Sequence, residues 1–261
     1  MVVKTLDKKS QITVFIIFAI VIVLIALILF FYRDNFKSLF ISKSPVDQLK
    51  ECTLSSLKGG IEKVSLQGGV INPKNYYLYQ GNKIEYVCYT EESYKRCVMQ
   101  KPFLKDTIED ELEDYLQPSV KDCLIDIKAS VKKSGKILSY KTPDISVELF
   151  PDIIEVNINL DLDIGKNGKK EIYKNIRTDF NSKLYDFAMI AGEIANTEAK
   201  YGDADITGFM FKNKNLKVEK FKQGDETKVY ILTDRKSNNQ FYFAIKSIPI
   251  PPGWIELEKF G

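Results

Sequence analysis

Three groups of side chains in this chain have types and spacing that chemistry could use. Asn157, Asn159, Asp161, Asp163 and Asn167 form a line of oxygen ligands. A Ca²⁺ site wraps about six to eight oxygens around one point, whereas alternate strand residues are about 6.6–6.8 Å apart along a straight line. Only Asp161, Asp163 and the 166–168 turn could converge, and a solvated strand face is the simpler reading. Glu109, Asp110, Glu111, Glu113 and Asp114 could hold a cation or a basic partner. Acids in the first turns of a helix also answer its positive end, which explains them more simply. Ser65, Ser130 and Ser134 have Lys63, Lys132 and Lys133 nearby, the makings of a Ser-Lys hydrolase, but nothing separates them from surface residues.

The absences weigh more. The chain has no histidine, which excludes Ser-His and Cys-His catalysis and removes the commonest zinc ligand. Cys52, Cys88, Cys97 and Cys123 contain no CxxC pair, so a zinc ribbon is not expected. We therefore expect no catalytic residues, no metal and no cofactor. The net charge is +3, with both signs interspersed, and no basic stripe calls for nucleic acid. Recognition is the remaining chemistry. Tyr76, Tyr77, Tyr79, Tyr86, Tyr89 and Tyr94 fall within 19 residues. Tyrosine offers a large contact area with few rotors, although it is also a strand former and half of these would face a core. Trp254, in the tail PIPPGWIELEKFG, is a further candidate contact unless the tail folds back.

The elements that must position these residues begin with an apolar run. Ile12 to Tyr32 carries 21 residues without a charge, about 31 Å as a helix and a match to a hydrocarbon core of about 30 Å. Phe30, Phe31 and Tyr32 suit an interfacial belt and Arg33 a snorkelling end. The expected organisation is a cytoplasmic N-terminus (1–11), a transmembrane helix (12–32), a juxtamembrane linker (33–45) and an extracytoplasmic α+β domain (46–261). Positive charges on the two flanks are nearly tied; an even cysteine count favours an oxidising exterior for the domain.

Within the domain, Ser44-Pro45 opens a helix with Leu54, Leu57, Ile61 and Val64 on one stripe. Its internal Gly59-Gly60 points to close packing, and Gly68-Gly69 ends it. YYLYQGNKIEYVCY is a hairpin around Gly81-Asn82, with Val87 and Tyr89 facing away from Tyr86 and Cys88, and RCVMQ adds a strand. A helix capped by Asp106 and Glu109 should break near Pro118, and a second should continue to Ser134. From Asp144 the period is two. Ile145–Leu149, Val156–Ile164 and Glu171–Phe180 read as a meander with one buried face. Asn181-Ser182 caps a helix to Tyr201 that covers it. Strands follow at Phe209–Phe211, Leu216–Phe221, Lys228–Thr233 and Gln240–Ile248. The fold class is α+β, helices on antiparallel meanders. It is readable as lobes 46–104 and 136–261 joined by helices 106–134.

Cys88 and Cys97 fall on neighbouring strands, and Cys52 and Cys123 each sit alone on a helix. Four cysteines allow three pairings. The placement favours Cys88–Cys97 with Cys52–Cys123, and buried free thiols are the other reading.

Two resemblances add to this. Lys8-Lys9-Ser10-Gln11 before the apolar run resembles the leader of archaeal type IV pilin-like proteins. That implies cleavage between Ser10 and Gln11 and assembly through the apolar helix. Phe15 stands where such pilins carry an acid, and an uncut signal anchor is the plainer reading. The lone-Cys helix ending in Gln67-Gly68-Gly69, the acidic helix and Asp122-Cys123-Leu124 resemble single-pass surface proteins of small-genome archaea, a resemblance that implies location but no chemistry. The expected protein is a single-pass, membrane-anchored, non-catalytic structural or binding protein of the cell surface. Its expected partners are the lipid bilayer and other surface or envelope proteins, with self-association through the apolar helix. A pilin-like filament subunit and an anchored hydrolase are the alternatives.

Overall fold

The computed structural model describes residues 19–24, 43–92, 95–166 and 169–247. Its two units, Met1–Ser44 and Pro45–Gly261, are taken separately. In the first, residues 19–24 are helical and exposed. The expected transmembrane helix is corrected here: among the described residues no helix is long and apolar enough to cross a membrane. The described helical stretch spans about 9 Å, against about 30 Å of hydrocarbon. The rest of 12–32, and Ser10 and Gln11, lie outside the described residues.

The second unit is α+β. Buried residues at steps of three and four build α1 (Pro45–Leu66): Leu49, Thr53, Leu57, Gly60 and Val64. The Thr53 hydroxyl donates to the Leu49 carbonyl at 2.8 Å, so its burial leaves nothing unpaired. This stripe packs on that of α2 (Leu104–Lys133), where Leu104, Ile108, Leu112, Leu116, Val120 and Leu124 are buried. Gly60 sets the approach. A Cβ there would lie 2.9 Å from both Leu112 Cδ2 and Tyr115 Cδ1. Gly60→Ala is therefore expected to cost about 1–3 kcal/mol through overpacking. Gly192→Ala, where an added Cβ meets nothing within 4 Å, should gain up to about 1 kcal/mol from helix propensity. Denaturant melts of the two variants check the opposite signs.

The break expected at Pro118 does not occur, and α2 is one helix of 30 residues. Proline in a helix costs about 3 kcal/mol. Each fully buried aliphatic side chain returns about 1.5–3 kcal/mol, and Leu116 and Val120 flank the proline at zero exposure. The helix also starts earlier than its acids implied, after Phe103 and without a side-chain cap.

The chain then forms β1 (Tyr76–Tyr79), β2 (Asn82–Tyr89) and β3 (Val98–Met99) before α2. After it come β4 (Ile137–Tyr140), β5 (Asp144–Phe150), β6 (Ile153–Asn159), β7 (Leu162–Lys166), β8 (Lys169–Tyr173) and β9 (Ile176–Asn181). α3 (Leu184–Tyr201), α4 (Ile206–Lys212), β10 (Leu216–Lys222), β11 (Thr227–Asp234) and β12 (Gln240–Lys246) complete the described fold. The main sheet has the order β1-β2-β12-β11-β10, with β3 on β2. All its pairs are antiparallel except β2–β12, which is parallel. Because β2 and β12 are neighbours, the two expected lobes each contribute strands to this sheet.

The long alternation is not one meander. It divides at Leu160-Asp161, sending β6 to a sheet β5-β6-β9 and β7 to a separate sheet β4-β7-β8. The return strand divides likewise at Lys174-Asn175, where Asn175 takes a positive φ of 51°. Residues 209–211, expected as a strand, belong to α4, which Asp205 caps by accepting from the Thr207 N–H. α1, α2 and α3 pack between the sheets around one apolar core.

The acids of α2 have a use beyond the helix end. β5 is an edge strand, and its outward Val147 and Leu149 N–H groups donate to Glu113 (2.8 Å) and Glu109 (2.6 Å). Glu111 accepts from the Ile71 N–H at 2.8 Å. Helix and strand are thus joined by charge-assisted hydrogen bonds, the stronger kind.

Candidate functional site

The main sheet curls. Its edge strands β1 and β10 are four strand spacings apart, about 19 Å in a flat sheet. Yet the Tyr79 and Phe221 rings meet at 6.0 Å, and the Tyr77 hydroxyl donates to Gln223 Oε1 at 3.3 Å. The face turned away from the helices is therefore concave and holds a second small core of Ile84, Tyr86, Val229, Ile231 and Ala244. Tyr77, Tyr79, Tyr89 and Tyr242 pack around it.

Tyr86 and Tyr89 share this face, with rings 4.7 Å apart, contrary to their expected opposition. The cause is a register shift: Ala244 faces Tyr86 but Ile245 faces Cys88, so Val87 and Cys88 both turn to the helix side. Tyr86 shares a 2.8 Å hydrogen bond with Thr227, and burial pushes its hydroxyl pKa up to about 12. The tyrosines expected as a recognition surface thus largely line a core. Tyr76 is the exposed exception, under the Lys83 ammonium. Tyr94 and Trp254 lie outside the described residues.

The densest polar chemistry lies where sequence reasoning did not look. Glu198, on the apolar stripe of α3, and Tyr230, on β11, have zero exposure, and Lys228 has 4%. The Glu198 carboxylate accepts from the Lys228 ammonium (2.6 Å), the Ala204 N–H (3.1 Å) and the Tyr230 hydroxyl. Lys228 also donates to the Gly202 carbonyl and lies 3.3 Å from Asp203 Oδ1. Lys220 joins Asp203 to the Ala204 carbonyl at 2.9 and 2.7 Å. The Glu198 carbonyl accepts from Ser247, whose oxygen accepts from the Cys97 N–H at 3.3 Å.

A lysine beside a tyrosine and a carboxylate is the equipment of proton transfer. Here every one of those groups already has its partners, so none is poised toward an approaching molecule. Burial, and then the Glu198 charge, hold the Tyr230 hydroxyl far above the phenol range, keeping it a donor. The cluster therefore reads as a clamp joining the end of α3 to β11 and β12. The sequence signal was an acid at the fourth place of the stripe Ala191, Ile194, Ala195, Glu198.

Asp203, at the clamp's rim, gives it a pH dependence. Burial alone would raise its pKa. The Lys220 hydrogen bond and the charges of Lys228, Lys220 and Lys222 outweigh that and hold it below the usual range. A carboxylate lowered on folding adds stability that is fully present above its unfolded value of about 3.9. That stability is lost as pH falls through the folded value. Asp203→Asn should flatten the acid limb of stability in denaturant melts between about pH 6 and 2.

The other groups do not converge. Asp161 pairs with Lys141 (3.1 Å) and Lys174 (3.6 Å), and Asp163 with Lys170 (2.8 Å). Asn157 donates to Glu155, and Asn167 lies outside the described residues. Among the described residues no group of three or more His, Cys, Asp or Glu is placed to hold a metal. Ser134 donates to the Val131 carbonyl and Lys63 lies over the Tyr115 ring, so neither faces a serine-lysine partner.

The cysteines do pair. Cys52–Cys123 ties α1 to α2 with Cα atoms 6.3 Å apart, and Cys88–Cys97 ties β2 to the approach of β3 at 5.4 Å. No family model, curated protein or solved structure matches the chain.

Proposed function

We propose that the chain serves outside the cytoplasm as a non-catalytic structural or binding protein of the cell surface, with other surface or envelope proteins as partners. The observation that carries this reading is the pair of disulfides at the core. Such bonds persist in oxidising compartments and are rare in the cytosol. The absence of histidine and the saturated state of the buried clamp support a binding task over catalysis. Non-reducing mass spectrometry of the chain isolated from its native cells tests the location. Two intact bridges with the pairing 52–123 and 88–97 are expected, and four free thiols would overturn the reading.

A further inference from the structure

We infer that the groove between the start of α3 and the start of β10 docks an acidic, amphipathic polypeptide segment. This rests on reading the chain as a binding protein and names the site and the class of partner. The groove encloses about 480 Å³ on one side of the domain. Its floor is apolar: Phe187 and Leu216 are buried, Ile190 is half-buried, and Met189 stands half-exposed at the lip. A methionine at a groove lip adapts to varied apolar partners.

The rim is positive. Lys212, Lys214 and Lys236 line it, and none has an ion-pair partner among the described residues. The acids that also line the groove are already engaged. Asp186 pairs with Lys183 at 3.2 Å, and Asp234 accepts from the Ser237 N–H (2.9 Å) and hydroxyl (2.6 Å). Uncompensated cations over an apolar floor complement a chain segment that offers carboxylates beside a leucine or phenylalanine anchor. The concavity favours an inserted side chain over a flat bilayer, which would meet the rim but not the floor.

The test uses the full chain and a fluorescein-labelled 12-residue peptide of alternating Glu or Asp with Leu or Phe, read by anisotropy. One control peptide replaces the acids by their amides, and a second replaces Leu and Phe by Ser. Saturable binding of the acidic amphipathic peptide, weakening as salt screens the rim, is expected, with both controls bound at least about tenfold less tightly. Lys212→Ala, Lys214→Ala and Lys236→Ala combined should weaken it about 10- to 50-fold. Met189→Ser should weaken it several-fold and shrink the preference over the serine control.

Equal binding by parent and triple variant overturns the proposal. So does sedimentation with phosphatidylglycerol vesicles that needs the three lysines while the peptide stays unbound, which would assign the rim to a lipid surface. A chain with both disulfides intact that ignores the peptide sinks the groove alone. Free thiols in the native chain sink the extracytoplasmic reading and leave the peptide result standing.

Discussion

Substituting Glu198 by leucine is expected to remove about 3–5 kcal/mol of stability, because it leaves an unpaired charge in the interior. Lys228 would keep only the Gly202 carbonyl and a partly exposed Asp203, and the Tyr230 hydroxyl and Ala204 N–H would lose their acceptor. Domain stabilities are about 5–15 kcal/mol, so this single change should bring the midpoint of a urea melt far down. Lys228→Met should cost a similar amount, since it strands the carboxylate. The two together, as Glu198→Leu with Lys228→Met, should cost much less than the sum, because replacing both ions by apolar groups is often close to neutral. Additive losses in that double-mutant cycle would show that the pair acts independently and that the clamp is misread.

The second large effect concerns the bridge between α1 and α2. Cys52 and Cys123 are 71 residues apart, and Cys88 and Cys97 only 9. In the chain-entropy account the longer loop contributes about 4 kcal/mol and the shorter about 2.5–3 kcal/mol. Cys52→Ser with Cys123→Ser should therefore destabilise more than Cys88→Ser with Cys97→Ser, in urea melts under oxidising conditions. The difference should vanish when both variants are reduced. A larger loss from the short loop would mean that the bridge acts by holding β2 against β3 and not by restricting the unfolded chain.

The helical stripe of α1 and the Cys88–Cys97 pair were legible because each depends on local periodicity or on a few neighbouring residues, and Cys52–Cys123 because each cysteine stands alone on its helix. The elements that were misread turn on contacts between distant residues. Pro118 carries a local penalty, and only the burial of Leu116 and Val120 against α1 overrides it. The alternation from Val156 to Ile164 is uniform in pattern, and nothing within it marks the change of sheet at Leu160. Tyr86 and Tyr89 follow simple parity until a register shift against β12, more than 150 residues away, moves one of them across.

The candidate site shows the same limit more sharply. Lys228 looks like any surface base, and although Glu198 falls on the apolar stripe of α3, their pairing is visible only when α3 and β11 are brought together. The acids of α2 were legible as a group, but their service to the edge of β5 was not. That nearly all of the described tyrosines of the β1–β2 hairpin would line a core was hidden, because curling of a sheet has no signature in a single strand.

The position of β12 has a consequence for how the protein is made. The last described strand is not at an edge; it lies between β2 and β11. A chain emerging from its N-terminus builds β1 and β2 early and must wait for residues 240–246 before the main sheet can close. Until then β2 offers an unpaired edge rich in tyrosine, a surface on which another nascent copy could pair. Joining strands so far apart in sequence is also intrinsically slow. The Cys88–Cys97 bond can form within its own short loop during that interval, so oxidation of this hairpin is placed to precede assembly of the sheet. Chains cut short before Gln240 would thus hold a local bridge and an open main sheet, so the last described strand is the one that completes it.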